Sequence, residues 1–226
     1  MKKTTLSLLL ITGLFAGAAQ AFAETGPWEE VTGTEDGKGA KSQAHMTLTP
    51  GDNPTDPTTP LDPSEPDGST GNIGALTIDN VTPLEFGEHQ LEGGETIYTT
   101  TSIDPNVQVT DNRGEGKGWS LQVTSSQFTD VTDNKKTLKG AVLTLPVGEM
   151  KTTAGNVSSN PDPREIQLAT DKASTEIVMD AKAKAGMGTW EELFDASKLT
   201  VKVPAGNFAG EYVSTLTWTM LDAPKA

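Results

Sequence analysis

From Gly74 onward the chain consists of short runs rich in Val, Thr, Ile and Leu, separated by Gly, Asn, Asp and Pro. Apolar and polar residues alternate within most runs, which is the period-two pattern of a half-buried strand. Helical periodicity is confined to one short segment, "GTWEELFDAS". We expect strands over "ALTIDNV", "ETIYTTTS", "VQVTD", "WSLQVTS", "AVLTLPV", "EIVMDA", "LTVKVP" and "YVSTLTWTML".

Many short strands with turn signals between them predict an all-β fold. The expected architecture is a β-sandwich of Ig-like or Greek-key type with short, mainly antiparallel strands. The chain has no cysteine, so no disulfide contributes and the apolar core must hold the fold. A chain of 226 residues is long enough to build such a core in one domain.

The first 23 residues have the order of a secretory signal peptide. Lys2 and Lys3 precede an apolar run, and two small-x-small sites end at Ala21 and Ala23. We predict cleavage after Ala23 and an exported protein. The apolar run is too short for a comfortable membrane span, and no later segment reaches the length of about 20 apolar residues that a span needs.

Acidic residues are concentrated in the first half of the chain. Without Lys2 and Lys3 there are 15 basic and 31 acidic residues, a net charge of −16. Residues 24–112 hold 2 basic and 17 acidic groups, whereas residues 113–226 hold 13 and 14. This distribution argues against a nucleic-acid partner, which requires a basic surface.

A stretch rich in proline and aspartate, residues 49–72, precedes the strands. Prolines recur every third residue from Pro54 to Pro66, the period of a polyproline II helix. We interpret residues 49–72 as a Pro/Asp-rich spacer or a surface loop, and disorder maintained by charge repulsion is the alternative. The expected division is a signal peptide (1–23), an acidic segment (24–48) with a candidate strand over 44–49, this stretch, and a β domain over 73–226.

Two of the predicted strands contain a tryptophan. In "GWSLQVT" Trp119, Leu121 and Val123 share one strand face, because side chains alternate across a strand. In the last strand the bulky face holds Tyr212, Leu216, Trp218 and Met220. We favour burial of both tryptophans in one core, and a partly exposed ligand platform is the alternative.

The loop "TDNRGEGKG" before Trp119 offers oxygen atoms and several glycines. It lacks the alternate-residue ligand order of an EF-hand loop, and its two cationic side chains would oppose a bound cation. We therefore favour a hairpin turn in which glycines adopt positive φ angles. If this region binds a ligand, the loop and the polar strand face do so; the residues expected to face the ligand are Asp111, Asn112, Arg113, Lys117, Ser120 and Gln122.

Several separated segments resemble the WxL domain of Gram-positive surface proteins: "VTDNRGEGKGWSLQVT", "LKGAVLTL", "AGMGTW", "VPAG" and "YVSTLTWTMLDAP". The resemblance runs from about His45 to Pro224 and includes "LTIDNVTPLEFG". Its two signature motifs map onto Trp119 and Leu121, and onto Tyr212, Leu216, Thr217 and Trp218. The second motif departs from the family pattern at Met220, where Leu is usual. Met is similar in volume, so we expect little loss of packing.

The resemblance implies a secreted protein held at the cell wall, with peptidoglycan or another wall polymer as ligand. No sortase-type signal or hydrophobic tail follows the last strand, so the expected attachment is non-covalent. The alternative is a subunit of a surface complex or adhesin, with a membrane-anchored wall protein, another surface protein or a host component as partner. No cofactor is expected, although a divalent cation that bridges carboxylates to wall phosphates is left open.

An enzyme is the third interpretation and the least favoured. The chain has only His45 and His89, and neither lies in a recognisable nucleophile or zinc motif. Carboxylates are so abundant that their presence does not indicate an acid/base pair. We therefore expect no catalytic activity.

Overall fold

The computed structural model describes residues 32–51, 57–169 and 174–224, so the predicted signal peptide lies outside the described residues. The chain divides into two compact units, residues 1–48 and 49–226. The described part of the first unit contains an antiparallel pair, β1 (Thr32–Gly33) and β2 (Ala40–Lys41). The prediction of a strand over residues 44–49 is wrong: residues 42–51 have no regular secondary structure.

The second unit contains the remaining strands. In chain order they are β3 (Leu76–Val81), β4 (Thr96–Thr99), β5 (Asn106–Asp111), β6 (Trp119–Ser125), β7 (Thr129–Asp130), β8 (Val142–Leu145), β9 (Glu149–Thr152), β10 (Asp162–Pro163), β11 (Ile166–Ala169), β12 (Thr175–Ala181), β13 (Gly188–Leu193), β14 (Thr200–Val203), β15 (Tyr212–Val213) and β16 (Leu216–Leu221).

These strands form three four-stranded sheets and one two-stranded ribbon. The orders are β10-β12-β6-β16, β11-β8-β14-β4 and β3-β5-β13-β9, and β15 pairs with β7. Every pairing between these strands is antiparallel. The described residues contain no helix. The predicted all-β fold of sandwich type is therefore confirmed, and all eight expected runs contain strands.

One apolar cluster lies between the three large sheets. Alternate residues of β5, β6, β8 and β11 point into it, as the period-two pattern requires. Phe194 and Leu199 close it from the connection between β13 and β14. The buried members from the strands are Val107, Val109, Trp119, Leu121, Val123, Leu143, Leu145, Ile166, Leu168, Val178, Met179 and Ala181.

The helical periodicity noted in "GTWEELFDAS" does not produce a helix. Residues 188–193 form β13, which pairs with β5 on one side and β9 on the other. Two adjacent glutamates favour a solvated helix, but here Glu191 and Glu192 point to opposite faces of a central strand and are both 0% exposed. Pairing on both sides outweighs the local helix preference, because tertiary context overrides a weak propensity.

The described part of the proline-rich stretch lies across β5 and β13. We call residues 57–67 the covering segment. The Leu61 N–H donates to Gln108 Oε1 (2.7 Å), and Gln108 Nε2 donates to the Thr59 carbonyl (3.1 Å). Glu65 forms an antiparallel bridge with Ile103. These contacts satisfy polar side chains of the sheet that would otherwise be buried without partners.

Candidate functional site

Strand β6 contains the first tryptophan motif and lies inside the sheet β10-β12-β6-β16, which we call the motif sheet. Trp119 and Leu121 on its inner face are 0% exposed. The Trp119 indole N–H donates to the Gly186 carbonyl (3.0 Å), so the polar atom of the ring is also satisfied. This face is core and offers nothing to a ligand.

The second motif lies on the edge strand of the same sheet. Leu216, Trp218 and Met220 are half-buried and pack against the core cluster, whereas Thr217 and Thr219 are exposed. The predicted shared face is confirmed for Leu216, Trp218 and Met220 but is wrong for Tyr212, because the expected strand is divided into β15 and β16. Both tryptophans therefore contact one core, but Trp218 is covered on one side only because β16 has a neighbour on one side only.

Tyr212 lies apart from the motif sheet, on the ribbon of β15 and β7. Its hydroxyl donates to the Phe208 carbonyl (2.8 Å), and Lys136 Nζ lies 5.5 Å from the centre of its ring. Lys136 also contacts Asp130 at 2.8 Å. This ion pair, together with hydrogen bonds from Thr132, holds the pKa of Asp130 well below its usual range. The arrangement fixes the ribbon and gives Tyr212 a structural role.

The outer face of the motif sheet is a surface of hydroxyl and amide groups. Residues paired across antiparallel strands share a face, so three rows follow from the register. The Thr124 hydroxyl hydrogen-bonds the Thr175 hydroxyl at 2.7 Å within the first row. The rows are Thr175, Thr124 and Thr217; Ile177, Gln122 and Thr219; and Asp180, Ser120 and Leu221.

The third row closes one end of this outer face. Ser120 is 0% exposed, and its hydroxyl lies 2.6 Å from Asp180 Oδ1 and 3.1 Å from the Ala223 carbonyl. Arg164 and Arg113 bring positive charge to the same end, at 3.7 Å from Asp180 and 4.0 Å from Asp222. Each of these two carboxylates therefore lies near an arginine, whereas none of the six side chains in the other two rows ionises.

The loop between β5 and β6 connects two different sheets, so the expected hairpin turn is wrong. The predicted positive φ angles are present at Gly114, Gly116 and Gly118. Gly118 is required for a second reason: a Cβ atom there would lie 2.2 Å from the Ala181 carbonyl oxygen. Glycine is required at position 118 because the backbone of β12 lies so close, and not because the loop is a hairpin turn.

The residues expected to face a ligand divide into two groups. Ser120 and Asp111 are 0% and 2% exposed, so neither presents its side chain at the surface. Asp111 accepts two hydrogen bonds from the Arg113 guanidinium, at 2.9 and 2.8 Å, which occupies both of its carboxylate oxygens. Asn112 and Lys117 are exposed, and Gln122 is half-buried on the outer face.

Sequence reasoning missed the contribution of β12 to this outer face. Thr175 and Ile177 stand beside Thr124 and Gln122, although 51 or more residues separate them along the chain. The signal that could have found them is the polar alternation of "STEIVMD", but pairing with β6 is long-range and the sequence does not specify it. The sequence also gave no indication that Ser120 is buried. Its hydroxyl contacts the Ala223 carbonyl, in the segment after β16.

Two general features of the described residues bear on ligand classes. Histidine, aspartate and glutamate form no group of three or more that could hold a metal ion within residues 32–51, 57–169 and 174–224. Over the same residues, no helix has the length and apolar character needed to cross a membrane.

Comparison with known proteins identifies one family. The family model described as "WxL domain surface cell wall-binding" matches residues 35–224, nearly the whole chain. No curated protein and no solved structure matches. The match begins after β1 and includes β2, the covering segment and both tryptophan strands. The chain therefore belongs to the WxL domain family of cell-wall-binding surface proteins.

Proposed function

We propose that this protein is secreted and held non-covalently at the Gram-positive cell wall, and that the outer face of the motif sheet binds peptidoglycan. The observation that supports this most is the composition of that face. Thr175, Thr217 and Thr219 are exposed, and Gln122 lies among them. Hydroxyl and amide groups both donate and accept hydrogen bonds, as a glycan with acetamido groups requires.

Electrostatics favour the same face. The mature chain is acidic, with a net charge of −16, and an anionic wall repels such a protein. The central two rows of the outer face are uncharged, and the charges at its end are paired with one another. This surface can approach an anionic polymer at lower electrostatic cost than the acidic surface of residues 24–112.

No cofactor is part of this proposal. A divalent cation can be added to it, as a bridge between wall phosphates and carboxylates such as Asp52 and Asp56; the Asp62 carboxylate already contacts Lys151. The test of such a bridge is binding with calcium and with a chelator, because chelation would remove the bridged fraction and leave the glycan-bound fraction.

The direct experiment compares two binding targets. Purified wall sacculi stripped of protein and teichoic acid are incubated with the protein, and an extract of wall proteins immobilised on beads is treated in parallel. Sedimentation with bare sacculi supports peptidoglycan binding. Capture by the protein extract alone would contradict it and favour a protein partner.

A second candidate function rests on the free edge of β16. Among the strands of the described residues, β6 is the one neighbour of β16, and residues 214–221 contain no charged side chain. A long uncharged edge presents unpaired backbone groups and can accept a strand from another chain. A membrane-anchored wall protein or another surface protein that adds such a strand would make this protein a subunit of a surface complex.

A further inference from the structure

Three polar side chains from separate parts of the chain meet on the outer face of β13. Glu191 on β13 and Lys151 on β9 are register partners, so their side chains stand side by side. Asp62, on the covering segment, lies over both of them. Lys151 Nζ contacts Asp62 Oδ2, and the Asp62 backbone N–H donates to Glu191 Oε2 at 2.9 Å.

Glu191 differs from an ordinary member of a salt-bridge network because it is fully buried. The residue is 0% exposed, and no N–H or hydroxyl group of the described residues donates to its Oε1. An unpaired buried carboxyl oxygen is costly and needs an explanation. Lys151 and Asp62 are about one-third exposed, at 34% and 35% of their side-chain surface, so the contact is open to solvent on one side.

Three of the other lysine–carboxylate contacts in the described residues are more exposed than this one, although Lys136–Asp130 is more buried, at 24% and 3%. Lys117–Glu115, Lys182–Asp162 and Lys198–Asp195 join side chains that are all at least 46% exposed. Such pairs are ordinary surface ion pairs of small energetic value. The contact of Lys151 with Asp62 differs from these pairs in two ways. The buried carboxyl group of Glu191 lies beside it, and it joins the covering segment to strand β9.

We propose that Lys151 and Asp62 form an intramolecular isopeptide bond, and that Glu191 carries the protons for this reaction. The bond would link the covering segment covalently to β9. It is a modification that the chain can make by itself, because the nucleophile, the acyl group and the proton carrier are all present.

The reaction balances without any further reagent. The Lys151 ammonium first gives a proton to the Glu191 carboxylate, and the neutral amine attacks Cγ of Asp62. The C–N bond forms, the bond from Cγ to one carboxyl oxygen breaks, and that oxygen leaves as water. The water takes one proton from Glu191 and the other from the attacking nitrogen. No group is oxidised or reduced, and Glu191 returns to its initial state.

The acid–base properties of the three groups support this assignment. Burial raises the pKa of Glu191 to about 7, so near neutral pH this carboxyl can both accept and release a proton. The Asp62 contact raises the pKa of Lys151, and the Lys151 contact lowers the pKa of Asp62. The pair therefore starts as ammonium and carboxylate, which do not react with each other, and a neighbouring proton acceptor is required.

Proximity lowers the activation barrier of this reaction. Once Glu191 has accepted the Lys151 proton, the amine attacks Asp62 within the same molecule, and the fixed contact removes most of the entropic cost of bringing the two groups together. The chain also has no cysteine, so an amide is the covalent cross-link that its composition allows without metal or oxidant. The water that forms can leave through the solvent-exposed side of the contact.

Mass spectrometry of the purified full chain tests the proposal. After incubation at neutral pH and denaturation, the intact mass is expected to be lower than the sequence mass by one water molecule. Trypsin should leave the peptide bond after Lys151 uncut and should yield one branched product that joins the peptides of residues 62 and 151. Lys151→Arg, Asp62→Ala and Glu191→Gln should each restore the full mass, and Lys182→Arg is the matched control that should keep the loss.

Two results would overturn the proposal. One is a wild-type mass equal to the sequence mass, with trypsin cleaving after Lys151. The other is a loss of water without the branched product, because the Asp36-Gly37 and Asp67-Gly68 sequences can also lose water by cyclising. Both readouts use the wild-type protein, so a variant that fails to fold does not affect the decision.

Discussion

Trp119 and Trp218 differ in how completely the fold covers them. Trp119 lies on a strand with neighbours on both sides and is 0% exposed. Trp218 lies on the edge strand and is half-buried. Because the free energy of burial follows the apolar area removed from water, the two tryptophans should contribute unequally to stability.

Replacement of each tryptophan by alanine tests this difference. Trp119→Ala removes the largest fully buried side chain and is expected to cost about 3–5 kcal/mol of unfolding free energy. Trp218→Ala should cost less, because part of its ring is already in water. Denaturant unfolding followed by circular dichroism measures both. An unchanged midpoint for Trp119→Ala would show that its ring is not core.

Glu192 gives the fold an unusual dependence on pH. Its side chain points to the core face of β13, and burial raises its pKa to about 8, although the Gly148 N–H donates to Oε1 at 2.9 Å. The folded protein therefore holds this proton more tightly than the unfolded chain does. The stabilisation is complete below the ordinary pKa of 4.5 and is lost as pH rises through about 8.

Glu192→Gln should remove much of this dependence. Glutamine keeps an acceptor for Gly148 and cannot ionise, so stability should fall less between pH 5 and 9 than in the wild type. Each unit of pKa difference corresponds to about 1.4 kcal/mol. Glu149→Gln, on an exposed side chain of β9, is the matched control and should leave the slope unchanged. An equal slope in wild type and Glu192→Gln would contradict a buried neutral Glu192.

At this scale the sequence predicts the inward residues well and the polar residues poorly. Alternation alone places Trp119 and Leu121 in the core, because a strand has only two faces. It cannot show that Ser120 is covered by Asp180 and Ala223, or that Arg113 occupies the Asp111 carboxylate, because those partners depend on tertiary contacts. The burial of Glu191 and Glu192 also depends on tertiary contacts, so the sequence "TWEEL" does not predict it.

Among the elements, β13 and the loop after β5 depart most from expectation. Runs of Val, Thr and Ile identify β3, β5, β6, β8 and β12 because these residues suit a pleated, half-buried surface. Strand β13 lacks that composition. It adopts the strand conformation because β5 pairs with it on one side and β9 on the other. The loop contains the glycines of a hairpin, yet it connects two sheets, since loop composition does not specify which strands pair.

Two of the three glycines of this loop allow a matched comparison. Gly114 and Gly118 both have positive φ, at 70° and 79°, so alanine is strained at either position. Around Gly114 there is open space, whereas at Gly118 a Cβ would meet the Ala181 carbonyl oxygen at 2.2 Å. Gly118→Ala should therefore cost on the order of 2 kcal/mol more than Gly114→Ala in unfolding free energy. Equal losses would indicate that β6 and β12 approach less closely here.

For the molecule as a whole, the acidic charge and the wall-binding family assignment predict an unusual response to salt. A basic protein loses affinity for a polyanion as salt rises, whereas repulsion of an acidic protein is screened. The bound fraction on purified walls should stay constant or increase from low to high sodium chloride. A steep fall would contradict screened repulsion and would direct attention to the lysines at positions 135, 136 and 139.

The inner face of the motif sheet builds the core, and we propose that its outer face binds the wall. The most direct measurement is the fraction of protein bound to purified sacculi for a Thr217→Glu/Thr219→Glu variant, with Thr99→Glu on β4 as an exposed control. We predict that the double variant keeps the wild-type melting temperature and loses most of its binding, and that the control binds normally. Normal binding by a folded double variant would contradict the assignment of the outer face.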